Sequence, residues 1–273
     1  MSNLTHSVRQ YIVHAHMFKN AGTTLDWSLQ YSFGERFFAH TDDAVLRDRP
    51  RELERVMLES GRISALSSHW LPLPLSPVLA NQTALLVLLR HPIIRAQSVY
   101  LFERGQQGDH GPSSTAAKQM DFREFVEWRL SPGRGPVIHN FQTRYLSGHF
   151  HDECNEERFE QALETLDAAL VGIVERYDDS MILFETALCK EFPELDLASR
   201  PKNVSATAAQ TIGERLQQIK QELGDTFVRL SEANVFDLQL YERGCALLNA
   251  RLAGIRGLEQ RRSEFAQRCE ALS

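Results

Sequence analysis

Residues 11–24 read YIVHAHMFKNAGTT. An apolar, partly β-branched run gives way to one lysine, one glycine and two adjacent threonines, and apolar residues then recur at helical steps (Leu25, Leu29, Phe33). Strand, short loop and helix is the order in which a chain builds an anion cradle. The first turn of a helix leaves backbone N–H groups unpaired and presents the positive end of its dipole. Gly22 lets the backbone approach an oxygen closely, Thr23 and Thr24 add hydroxyl donors, and Lys19 adds a point charge. The stretch predicts a strand that feeds a site for a phosphate or a similar group.

Three further strands are expected at Arg62–Leu66, Thr83–Leu89 and Ala169–Glu175. TALLVLL, at 83–89, shows no polar alternation, as suits a strand covered on both faces of a parallel sheet. Helical stepping recurs at Phe159, Leu163, Leu166 and Leu170, at Ile212, Leu216, Ile219 and Leu223, and at Tyr241, Cys245, Leu248 and Leu252. Pro92 suits the first turn of a helix through Glu103, and Asp178 or Asp179 can cap a helix running toward Cys189. The segments Leu71–Pro77, Gly105–Gln119, Ser131–Pro136 and Phe192–Thr207 read as loops. Alternating strands and helices predict an α/β fold: one domain with a P-loop-like central parallel sheet of about four to five strands, flanked by helices. The chain from about residue 209 onward reads as helical.

Charge and composition narrow the function classes. A formal net charge of −6 gives no bulk attraction to nucleic acid or to acidic membranes. The four cysteines, Cys154, Cys189, Cys245 and Cys269, include no CxxC pair, so neither a zinc knuckle nor a disulfide framework is indicated. MSNLTHSVRQ at the N-terminus lacks the apolar core of a signal peptide, and no apolar run approaches bilayer length. The expectation is a soluble, cytoplasmic protein with no nucleic-acid or membrane partner.

A second informative segment is LVLLRHPIIRAQSVYLFER, residues 86–104. A buried strand ends at Arg90, and Pro92 opens a helix that carries Ser98 two turns in. Ligands of open parallel sheets bind beyond the carboxyl ends of the strands, where an arginine fork suits a phosphate.

Together these segments resemble the PAPS-dependent sulfotransferases of the carbohydrate type, the heparan sulfate enzymes among them; PAPS is 3′-phosphoadenosine-5′-phosphosulfate. HMFKNAGTT (16–24) resembles the family's H-x-P-K-T-A-G-T-[ST] loop, and LRHPIIRAQSVY (89–100) its R-D-P-x-x-R-x-x-S-x-Y segment. SSHWLPL (67–73), NFQTRYLSG (140–148), VGIVERYDDSMILFE (171–185) and RPKNVS (200–205) also resemble family segments. The resemblance implies a P-loop-like sheet and sulfuryl transfer from PAPS, with release of PAP, to a hydroxyl of a glycan or small-molecule acceptor, without a metal. It implies that Lys19 contacts the phosphosulfate and that Asn20, Ala21, Gly22, Thr23 and Thr24 wrap the 5′-phosphate. Arg90 and Ser98 would hold the 3′-phosphate, Lys202, Asn203 and Ser205 would close over the nucleotide, and His69 would be the general base. His16 matches the loop's histidine and is placed near the acceptor, with Glu103 as backup base and Asn140, Gln142 and Arg144 as acceptor contacts. Two positions depart from the pattern: Phe18 stands in place of the proline before the lysine, and His91 in place of the aspartate after the arginine.

Each residue also has a plainer reading. The loop alone is an ordinary glycine turn, Arg90 a strand-end charge, His69 a hydrogen-bonded core or loop histidine, and Glu103 a solvated helix residue. His14 and His16, two apart on a strand, share one face; a metal with His69 is conceivable, and a packed or substrate-facing role is the simpler one. A P-loop kinase or other nucleotide-dependent phosphotransferase shares the strand–loop–helix outline but lacks here the GxxxxGK[ST] pattern. A non-catalytic binding module is the third reading.

Overall fold

The computed structural model describes residues 9–40, 45, 49, 51–108, 110–149, 152–200 and 211–272. Five strands form one all-parallel sheet: β1 Tyr11–Ala15, β2 Phe37–His40, β3 Ala65–Ser68, β4 Thr83–Leu89 and β5 Leu170–Ile173, in the order β2-β3-β1-β4-β5. The helices are α1 Gly22–Phe33, α2 Glu52–Ser60, α3 Pro77–Ala80, α4 Pro92–Gly105, α5 Pro112–Gln119, α6 Phe122–Leu130, α7 Phe141–Leu146, α8 Glu156–Ala168, α9 Tyr177–Leu188, α10 Ile212–Leu223, α11 Thr226–Glu232, α12 Val235–Ala253 and α13 Leu258–Ala271. The expected α/β class, with its helical C-terminal region, is the one observed. Among the described residues no helix is long and apolar enough to cross a membrane.

The chain packs as two compact units. The first comprises residues 1–88, 164–202 and 244–273; the second comprises residues 89–163 and 203–243. In the first, β1 is the central strand and all five of its residues are buried. It pairs in register with β3 (Ile12 with Ala65, Ala15 with Ser68) and with β4 (Tyr11 with Thr83, Ala15 with Val87). The chain leaves β1 toward β2 and β3 on one side, and β4 lies on the other. The carboxyl end of β1 is therefore the point where the winding direction reverses, the position at which open α/β sheets form a crevice. Leu25, Leu29 and Phe33 bury one face of α1. Late in the chain, Arg268 on α13 grips Glu185 of α9 with both of its terminal nitrogens, at 3.0 and 2.7 Å, and Arg262 holds Asp179 at 2.7 and 3.0 Å.

In the second unit, Asn140 and Asp237 cap each other's helices. Asp237 is fully buried and accepts from the N–H groups of Gln142 (3.0 Å) and Thr143 (2.8 Å) and from the Thr143 hydroxyl (2.7 Å). Asn140 Oδ1 accepts from the N–H groups of Phe236 and Asp237, both at 3.1 Å. Each side chain thus takes up donors that a helix start leaves unpaired.

Several sequence expectations shift. β2, the four residues FFAH, is too short for its periodicity to stand out from the sequence. The strand expected at Arg62–Leu66 runs instead over Ala65–Ser68, because pairing with β1 carries it through two buried serines. Gly105–Gln119 is not a loop throughout: Pro112 opens α5, and buried Ser114 donates to the Glu103 carbonyl at 3.0 Å. Asp178 and Asp179 lie in the first turn of α9 and do not cap it; Arg176 is at the cap position.

Gly172, in β5, shows how tightly the sheet is covered. A β-carbon there would lie 2.6 Å from Ser180 Cβ and 2.8 Å from Leu88 Cδ2. Gly172→Ala is expected to lower stability by about 1–3 kcal/mol, measured by chemical denaturation.

Candidate functional site

β1 ends at Ala15, and residues 16–21 turn back into α1. The Asn20 N–H closes the turn on the Met17 carbonyl at 3.1 Å. Lys19 (φ 65°) and Ala21 (φ 58°) both adopt the left-handed region, although neither is glycine. Such conformations cost about 1–3 kcal/mol each and persist where surrounding structure enforces them. Ala21 is the N-cap of α1 and supplies no side-chain acceptor. Among the described residues, no acceptor takes the N–H groups of Ala21, Gly22 or Thr23. A left-handed residue leading into an uncapped helix start makes a concave row of N–H groups, which suits an anion. The Asn20 side chain is buried and donates to the Leu88 carbonyl at 2.7 Å. It fastens the loop to β4, while the Asn20 N–H is taken by the Met17 carbonyl, so both groups serve the shape of the loop.

Behind the loop lies a cluster of three histidines. His14 Nδ1 is 2.8 Å from Asp26 Oδ1, and His16 Nδ1 is 2.7 Å from Asp26 Oδ2. Ser67 Oγ stands 3.1 Å from His14 Nδ1 and 3.4 Å from His16 Nδ1. The His16 and His69 rings lie with centroids 4.1 Å apart, and His69 Nδ1 is 2.7 Å from the His16 carbonyl. A carbonyl only accepts, so Nδ1 of His69 carries the proton and, in the neutral ring, Nε2 holds the lone pair. Burial raises the Asp26 carboxyl, but hydrogen bonds and charge from His14 and His16 outweigh it and hold the group far below the usual carboxylate range.

Gly22 has a different function from the one its sequence context implies. Its φ is not positive; instead a β-carbon there would sit 2.1 Å from His16 Cδ2 and 2.3 Å from Nε2. The glycine is required because the imidazole lies on its backbone.

Arg90 and Ser98 belong to the second unit. Arg90 directly follows β4, and both halves of its backbone are held by one side chain: its N–H donates to Gln142 Oε1, and its carbonyl accepts from Gln142 Nε2, both at 2.9 Å. Ser98 is half-buried on α4. His91, where the resemblance expects aspartate, sits edge-on to Tyr241 with centroids 5.2 Å apart, and burial pushes it down to about 4.

The expected acceptor contacts fall into structural places. Gln142 is 0% exposed and its amide is committed to Arg90, while Asn140 is committed to the start of α12. Neither side chain projects into solvent, because Asn140 replaces a backbone partner at a helix start and Gln142 replaces one at the end of β4. The Arg144 guanidinium donates to the Asp152 carbonyl. Glu103 is not a solvated helix residue; it lies 3.7 Å from buried Arg129. Lys202, Asn203 and Ser205 lie outside the described residues. Sequence reasoning missed Asp26, Ser67 and Asp237. One cue to Asp26 was available: it stands four residues after Gly22 and so shares its helix face.

The chain is 32% identical over 242 residues to an uncharacterized protein of the archaeon Archaeoglobus fulgidus, an alignment covering 86% of this chain and 96% of the archaeal one. The chain belongs to the same family as that protein. No family model and no solved structure matches it. The aligned length exceeds either compact unit, so the family relation reaches into both.

Gly22→Ala is expected to push the His16 ring out of its contact with Asp26 at a cost of about 1–3 kcal/mol, visible as a lower melting temperature and a shifted His16 imidazole resonance. His91 supplies a pH dependence. Its folded-state pKa lies below the ordinary value, so the unfolded chain binds the extra proton between about pH 6.5 and 4. The associated stability is complete above that window and is lost as pH falls through it, on the order of 3 kcal/mol in all. Denaturation curves of His91→Gln should be flatter than those of the parent across this range and parallel to them above it.

Proposed function

We propose that the protein is a sulfotransferase that moves the sulfuryl group from PAPS to a hydroxyl of a carbohydrate or other alcohol. The observation that carries this reading is the meeting, at His16, of an anion cradle and an oriented imidazole. The ring of His16 backs Gly22 at the helix start, and its carbonyl fixes the tautomer of His69. Two parts needed for transfer to an alcohol, a binder of developing anionic charge and a proton acceptor, thus share one residue.

Sulfuryl transfer passes in line from one oxygen to another, as phosphoryl transfer does, and leaves negative charge on the departing nucleotide. The N–H groups of Ala21, Gly22 and Thr23 and the Lys19 ammonium stabilise that charge without reorganising. His69 Nε2 takes the proton of the acceptor hydroxyl, a contribution typically of about 10²–10⁴ in rate. In this reading Arg90 and Ser98 hold the 3′-phosphate, by resemblance to the sulfotransferase segment, with Gln142 fixing the backbone from which Arg90 extends. The thiols of Cys154, Cys189, Cys245 and Cys269 are not joined in disulfides, which fits a reducing compartment such as the cytoplasm.

PAP at about 100 times its dissociation constant is expected to stabilise the protein by about 2.7 kcal/mol, read by thermal denaturation. Lys19→Ala and Arg90→Ala should each abolish transfer of labelled sulfate, whereas His69→Ala should lower kcat by about 10²-fold or more and leave PAP binding intact. An unchanged melting curve at saturating PAP rejects the proposal, and full turnover by His69→Ala removes the base from it. Magnesium-dependent ATP hydrolysis would instead select the phosphotransferase reading, to which the same strand–loop–helix outline belongs.

A further inference from the structure

The sequence places His14 and His16 on one face of a strand but shows no carboxylate beside them. The fold supplies one. Asp26 reaches them from α1, and Ser67 reaches them from β3. The donor atoms of His14, His16 and Asp26 all lie within 4.8 Å of one another. His14 is 1% exposed, His16 14% and Asp26 19%, so the group is largely withdrawn from water.

Hydrogen bonding alone leaves this arrangement imperfectly matched. A ring nitrogen has at most one hydrogen to give, yet each Nδ1 faces two oxygens: a carboxylate oxygen at 2.7–2.8 Å and the Ser67 hydroxyl at 3.1–3.4 Å. If each Nδ1 gives its hydrogen to Asp26, it has no lone pair left to accept from Ser67. A single positive centre among the two ring nitrogens, the Asp26 carboxylate and the Ser67 oxygen takes a lone pair from each of the four groups. We propose that His14, His16 and Asp26, closed by the Ser67 hydroxyl, bind one divalent cation of borderline hardness such as zinc.

The dimensions agree with this assignment. Tetrahedral coordination at about 2.0–2.1 Å separates ligand atoms by about 3.3 Å. The nitrogen–oxygen contacts here, 2.7–3.4 Å, lie around that value. Two imidazoles and one carboxylate are a donor set suited to zinc, and the carboxylate brings negative charge to the ion. Both histidines stand on or just beyond the central strand, and the carboxylate stands on the helix that follows, so a bound ion clamps β1 to α1 across the loop. Through His16 it also steadies Gly22 and His69. The site is assigned from these side chains alone and stands whether or not PAP binds.

The test uses the full-length, tag-free chain, stripped with chelator and titrated with cobalt(II), with zinc as competitor. The expected result is one cobalt per chain with the intense visible bands of a tetrahedral nitrogen–oxygen site, displaced by zinc. Affinity should fall at least about tenfold in Asp26→Asn and in His14→Gln. Circular dichroism establishes that each variant is folded. Should either variant not fold, X-ray absorption of the zinc-loaded parent decides the matter: a shell of two imidazole nitrogens with oxygens supports the site, and sulfur ligation overturns it. Failure to bind cobalt or zinc at a stoichiometric level, a six-coordinate spectrum, or undiminished affinity in folded Asp26→Asn also overturns it. A PAP-induced thermal shift recorded on the same chelator-treated sample reports on the nucleotide reading separately.

Discussion

The bridging of His14 and His16 by one carboxylate is the constraint from which the first unit's candidate chemistry follows. Asp26 is held ionised by the rings it joins, and both partners are largely out of water. A charge of that kind is strongly unfavourable when left unpaired and tolerable when hydrogen-bonded on both oxygens. It therefore fixes where α1 lies on β1, and with it the two left-handed residues between them. The strain at Lys19 and Ala21 is sustained from both ends of the loop, by Asn20 fastened to Leu88 on one side and by the His16 ring seated on Gly22 on the other.

The second unit solves a different problem in a related way. Among the polar side chains buried there, Asn140, Gln142 and Asp237 each replace a backbone partner that a chain turn has removed. Asp237 gathers donors at the start of α7, where the helix dipole favours its charge. Gln142 holds the peptide of Arg90 on both sides, so the arginine leaves the end of β4 from an immobilised backbone. The resemblance to sulfotransferases expects an aspartate after this arginine. Here His91 is half-buried, packed on Tyr241 and kept neutral, and the orientation of the Arg90 backbone falls to Gln142.

The elements that sequence reasoning recovered best are those whose burial is one-dimensional. TALLVLL is apolar without interruption because both faces of β4 are covered, and its observed limits coincide with the expected ones. Ile212–Leu223 is equally legible: a full capping box at Thr211 and Glu214 precedes a regular apolar stripe. FFAH at the sheet edge and the buried serines of β3 were not legible, since four residues carry no usable period and serine does not announce burial. Asn140 and Gln142 were expected to contact an acceptor because a polar residue's partner, here some 95 positions along the chain or at the end of β4, leaves no local trace.

The sequence by itself determined the α/β class, the strand–loop–helix at Tyr11–Phe33 and the helical end of the chain, because each is written in the spacing of apolar residues and in a few residues of restricted geometry. Only the tertiary structure decided that Gly22 yields to a ring and not to a turn, that Asp26 and Ser67 complete the histidine cluster, and that His69 is oriented by the His16 carbonyl. Those relations join residues through space at distances of 2–4 Å, and sequence separation, which is all a linear reading measures, does not encode them.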